Sequence, residues 1–96
     1  MVTKSTDAQA REVEWTLKAL ANRRRLLIVW LLRRQKEATV GEIAAAIRLS
    51  FKSTSRHLGV LSAADVVEKE QRSLQVYYRL STDAPMLAKH ISNSCE

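Results

Sequence analysis

Residues 50–61, SFKSTSRHLGVL, decide the fold. Placed on a helix at about 100° per residue, they put Thr54, Leu58 and Leu61 on one face and Lys52, Ser55, Arg56 and Gly59 on the opposite one. One face can anchor the helix while the other is offered outward. Ser50 stands at the N-cap position, where its hydroxyl can accept from an unpaired amide of the first turn. No carboxylate lies between Glu42 and Asp65, whereas Arg48, Lys52 and Arg56 all do. A phosphate backbone would meet no repulsion there, although a solvated basic face gives the same pattern.

The neighbouring segments give this helix its context. Upstream, Val40, Ile43, Ala44 and Ile47 form a short helix, with Thr39 as cap and Glu42 three residues later in the manner of a capping box. Three residues, Arg48-Leu49-Ser50, then lead into the basic helix, and helix, short turn, helix is the helix-turn-helix pattern, here spanning 39–64. Downstream, VVEKEQ (66–71) and QVYYRL (75–80) read as two strands around a turn at Arg72-Ser73-Leu74. Val76, Tyr78 and Leu80 share one face of the second strand, and Gln75, Tyr77 and Arg79 the other. A hairpin after a helix-turn-helix is a wing, here 66–80, and its turn lacks the usual glycine.

On the N-terminal side, Asn22 can cap a helix from Arg23 to about Gln35, whose run LLIVWLL (26–32) marks it as the central core helix. The arginines at its start oppose the helix dipole. Before it, Ala10, Val13, Leu17 and Leu20 define a first helix over 7–21, preceded by a polar, frayed end up to about Thr6. Trp15 lies off that stripe with Ala8 and Ala19, so it is either half-buried on its own domain or a subunit contact. A last helix, 83–92, has Thr82 or Asp83 as cap and Pro85 in its first turn. Leu87 and Ile91 line one side of it, with Met86 and His90 on a flank. It is too short to stand alone and needs a surface, for which the first helix of a second subunit is a candidate.

Composition bounds the possibilities. Ninety-six residues make one domain over 1–96, and two Gly and one Pro leave the helices uninterrupted. The expected fold is mainly α, a winged helix-turn-helix with a two-stranded antiparallel wing between the fourth and fifth helices. A net charge of +6 favours an anionic partner, either nucleic acid or an acidic surface. Cys95, the single cysteine, cannot form an internal disulfide, which suits a reducing cytoplasmic setting. The 26–32 run is too short for a bilayer, and residues 1–10 lack the apolar core of a signal peptide. No Ser, His and acid arrangement stands out, and Gly41 and Gly59 make no phosphate loop, so an enzyme is not expected.

Three segments in this order, LKALANRRRLLIVWLL (17–32), VGEIAAAIRLSFKSTSRHLGVL (40–61) and VVEKEQRSLQVYYRLS (66–81), resemble the ArsR (ArsR/SmtB) family of winged-helix transcriptional regulators. The resemblance implies a homodimer paired through its first and last helices, a palindromic operator in double-stranded DNA, and repression until an effector arrives. By position it implies that Lys52, Ser53, Ser55, Arg56 and His57 meet the major groove and that Arg72 at the wing tip meets the backbone. Arg56 can contact a guanine edge in bidentate fashion, Lys52 a base or phosphate, and the serines either.

Some positions depart from the family pattern. Phe51 replaces a frequent Gln, Thr54 an apolar anchor and Gly59 a Lys, while Arg48, Asp65 and Ser73 stand where glycine is common. The operator should therefore differ from those of close relatives. Metal-sensing members carry a thiolate pair before the reading helix, where this chain has Thr39-Val40-Gly41-Glu42. A second family site, on the last helix, would have only Asp83, His90, Cys95 and Glu96, whose spacing puts no three on one face. Neither a metal nor another cofactor is expected, and the resemblance names no effector. A different class remains open: a winged helix that binds an acidic protein partner through the same basic face. RNA is disfavoured because no aromatic stacking platform is evident.

Overall fold

The computed structural model describes residues 2–95. Five helices, α1 (Lys4–Leu20), α2 (Arg23–Gln35), α3 (Val40–Ile47), α4 (Phe51–Ala63) and α5 (Met86–Ser92), surround a small antiparallel sheet of β1 (Ala38–Thr39), β2 (Val67–Arg72) and β3 (Gln75–Leu80). Ile28, Val29 and Leu32 of α2 are buried and meet Ile43 of α3, Leu58 and Leu61 of α4, and Val66, Val67 and Tyr78 around the sheet. The dense apolar run of α2 is thus the centre of the core, with Leu27 reaching the surface at 38% exposure.

The helix starts follow their side-chain caps. Asn22 Oδ1 accepts from Arg24 N and Arg25 N at 3.0 and 3.2 Å, and Thr39 and Glu42 close the capping box at the head of α3. The helix ends are less comfortable. Lys36, Arg48, Asp65 and Ser73 all have positive φ without being glycine, a conformation in which a Cβ is crowded. Arg48 holds left-handed geometry at φ 57° and closes α3, its N–H donating back to Ala44 and Ala45. That turn sets the angle at which α4 leaves α3.

Five expectations need correction. α1 begins at Lys4, because Thr3 Oγ1 accepts from Thr6 N at 3.1 Å and caps it; the segment read as frayed includes a helical first turn. The face that α1 buries is Thr16, Ala19 and Leu20, while Ala10, Val13 and Leu17 from the apolar stripe are exposed. Trp15 is 58% exposed, which excludes the half-buried placement on its own domain. Ala38, for which the sequence predicts no strand, and Thr39, read only as a helix cap, form β1, pairing Ala38 with Tyr78 and Thr39 with Tyr77, so the wing belongs to a three-stranded sheet ordered β1-β3-β2.

The fifth correction concerns α5. It starts at Met86 with Pro85 as N-cap and no side-chain cap bond, so neither Thr82 nor Asp83 caps it. Its buried residues are Ala88 and Ser92, with Leu87 and Ile91 partly covered and Met86 and His90 exposed. The surface it docks on is its own chain's α1 and α2. Trp30 Nε1 donates to Ile91 O at 2.9 Å and Arg33 Nε to Asn93 Oδ1 at 2.8 Å.

Candidate nucleic-acid interface

α4 is held by its inner face. Thr54, Leu58 and Leu61 are fully buried, and the helix packs on α1, α2, α3 and β2. Ser50 Oγ accepts from Ser53 N at 3.1 Å and marks its start. One polar atom within that anchor has no match: Thr54 Oγ1 is buried with no hydrogen-bond partner among the described residues.

The opposite face projects Phe51, Lys52, Ser55, Arg56, Gly59 and Val60, all exposed. Ser53 and His57 lie half-buried along its edges. Lys52, Ser53, Ser55, Arg56 and His57 therefore share one helix, flanked at its start by an exposed Phe51 suited to a thymine methyl. A Cβ added at Gly59 would meet nothing within 4 Å, so the face is open at its middle.

Two features beside α4 were not legible. Arg25, from α2, brings its NH1 to 3.2 Å from His57 Nδ1, and burial together with Arg25, Arg24 and Arg56 holds the His57 pKa below its ordinary value. At the far end of the wing, Leu74 stands 95% exposed at the tip of the hairpin. The periodicity of the strands could have marked the tip residue, but its exposure depends on the turn, which Ser73 makes with φ 57° in place of the missing glycine.

Arg72 lies at the wing, away from α4's row, and is already engaged. It grips Glu37 with NH1 and NH2, reaches Glu70 Oε1 at 3.1 Å, and lies 4.8 Å above the Tyr77 ring. Arg79 adds contacts to Glu70 at 2.8 Å and Glu68 at 3.5 Å. The hydrogen bonds from Arg72 and then Arg79 hold the Glu70 carboxyl below its usual range, while Glu37 and then Glu70 raise Arg72, and Glu70 raises Arg79. These bonds take three of the five N–H donors of Arg72, leaving two for a phosphate.

Among the described residues, no three His, Cys, Asp or Glu side chains gather to hold a metal ion; Glu96 lies outside them. No described helix is long and apolar enough to cross a membrane.

A helix-turn-helix whose second helix shows a basic, carboxylate-free face, followed by a hairpin bonded to a strand ahead of it, is a winged helix-turn-helix domain. Residues 22–69 match the model of the family described as bacterial regulatory protein, arsR family, and the chain belongs to that family. It is 36% identical over 77 residues to a biofilm growth-associated repressor of Agrobacterium fabrum, covering 80% of this chain and 65% of the relative. It is 38% identical over 66 residues to the transcriptional activator HlyU of Vibrio cholerae, covering 69% and 60%. The chain thus spans less than two-thirds of the length of these curated relatives. A solved homodimeric winged helix-turn-helix DNA-binding domain, Mb0332 of Mycobacterium bovis, superposes with a TM-score of 0.82 at 30% identity, over 94% of this chain and 81% of that one.

Proposed function

We propose that this protein is a cytoplasmic, homodimeric transcriptional regulator, a repressor, that reads a palindromic operator through α4 and rests its wing on the flanking backbone. The observation that carries the reading is the exposed face of α4, where Lys52, Ser55 and Arg56 stand with no carboxylate between Glu42 and Asp65. Arg56 is assigned to a guanine edge, Lys52 to a base or phosphate, and Ser53, Ser55 and His57 to bases or backbone. Arg72 is assigned to a phosphate beside the wing.

Dimerisation is supported by α1, whose residues Lys4 to Trp15 are exposed on every side, including Val13 at 43%, with Leu17 at 50% one turn on. The stretch of α1 that its own domain leaves uncovered, residues 4–15, is near the length at which an isolated helix is marginal in water, so a partner surface would stabilise it. The homodimeric relative from Mycobacterium bovis points the same way. The repressor assignment follows the Agrobacterium relative; the Vibrio activator shows that the family also holds the opposite sign. No metal or other cofactor enters the proposal.

The test is fluorescence anisotropy with the DNA upstream of the protein's own gene against unrelated DNA of equal length, over a salt series. A preference of about 10³-fold or more at physiological salt is expected, and Arg56→Ala should cost about 1–3 kcal/mol on the operator while relaxing one base position. Absence of binding to any DNA at low salt would overturn the proposal in favour of an acidic protein partner.

A further inference from the structure

Arg25 lies in the first turn of α2, where a cation opposes the helix dipole, so its side chain needs acceptors of its own. It finds two at the end of α1: Nε donates to Ala19 O at 2.6 Å and NH2 to Lys18 O at 3.2 Å, carbonyls at a helix C-terminus that favour a cation. Its third nitrogen, NH1, lies 3.2 Å from His57 Nδ1 on α4. A guanidinium has donors and no acceptor, so Nδ1 must accept, and the imidazole proton must reside on Nε2. Placing a second proton on Nδ1 would set N–H against N–H.

We infer that Arg25 is a positioning residue that locks His57 as the neutral Nε2–H tautomer, so that the edge of α4 offers DNA one directed donor instead of a positive charge, and that ties this edge to the last turn of α1. The inference rests on the reading of α4 as the DNA-facing helix. The charged groups that act on the ring are Arg25 and Arg24 from α2 and Arg56 from α4, all cations, which together with burial oppose its protonation. Arg25 thereby joins the helix assigned to dimer contact with the helix assigned to the operator, through one side chain with a fixed fork.

The chain has two histidines, His57 and the exposed His90, so two sets of ring resonances need assignment. Long-range ¹H–¹⁵N spectra of the labelled protein from pH 5 to 8 should show His57 as the Nε2–H tautomer, titrating below the ordinary histidine value. In Arg25→Met, which keeps the aliphatic reach and removes the donors, His57 should become a tautomer mixture and titrate higher. Operator affinity at fixed ionic strength should rise on acidification more in Arg25→Met than in the wild type, as the released ring takes a proton beside phosphate. A wild-type Nδ1–H tautomer, or a His57 titration unmoved in a folded Arg25→Met, overturns the inference. If the variant does not fold, the wild-type tautomer decides alone. Loss of DNA binding altogether would overturn the operator reading while leaving the tautomer result standing.

Discussion

Thr54→Val is the sharpest test of how α4 is anchored. Thr54 is 0% exposed and its Oγ1 has no partner among the described residues, so folding strips water from a hydroxyl and returns nothing. Mutational data put that loss at about 1–3 kcal/mol. Valine keeps the β-branched shape and nearly the same helix propensity, so neither strain nor propensity offsets the gain. The expected stabilisation is about 1 kcal/mol or more, equivalent to roughly 4–8 °C in Tm per kcal/mol for a domain of this size. Urea unfolding at one fixed chain concentration should show a higher midpoint with the same m-value, the fixed concentration removing any contribution from association. Operator affinity should not change, since Thr54 faces away from Lys52 and Arg56. A Thr54→Val protein no more stable than the wild type would refute the reasoning and show that the hydroxyl is satisfied.

Arg72→Ala should weaken binding to all DNA sequences alike and lower the slope of log affinity against log salt by about one, read from anisotropy; an unchanged slope would assign Arg72 to bracing Glu37 alone. Acid should loosen the wing through Glu70. Its carboxyl is held below the ordinary 4.5, so its contribution is complete above that value and lost as pH falls through the lower folded value; Tyr77 and Arg79 resonances should move in that range in the wild type and not in Glu70→Gln. Gly59→Ala should raise stability by about 1 kcal/mol, because the helix gains propensity and the added Cβ has open space; thermal unfolding checks it, and reduced operator affinity would show that DNA approaches the backbone there.

The helix-turn-helix and the two long strands of the wing were legible because each carries its own local signal. Ser50 and Thr39 cap what they were read to cap, and Thr54, Leu58 and Leu61 are buried together. Two-residue β1 has no period to read, and it exists because Tyr77 and Tyr78 of β3 offer a free edge to Ala38 and Thr39. α1 misled for a different reason. An apolar stripe reports that a face is suited to burial, not whose surface covers it, and Val13 and Leu17 face away from their own domain. The Arg25–His57 contact joins residues 32 apart, beyond any pattern of spacing. At the wing, Arg72 was read as an outward cation because Glu37 is remote in sequence; the three-stranded sheet brings them together.

Net charge alone would make the whole surface of this protein attractive to DNA, but its distribution does not. On the wing, Arg72 and Arg79 are matched against Glu37, Glu68 and Glu70 in one network. Beside α4, Lys52 and Arg56 make no ion pair among the described residues, nor do Arg23 and Arg24 at the head of α2. Those two arginines oppose the dipole of α2 at about 0.3–1 kcal/mol each, a cost that phosphate contact would offset. Arg24 acts on His57 and so lies near the reading edge. Cations without an ion pair among the described residues thus include those of α4 and the start of α2, while Arg72 and Arg79 on the wing are balanced by carboxylates. Removing Arg56 should accordingly cost more affinity than removing Arg72, which must be shared with two carboxylates before it can reach a phosphate.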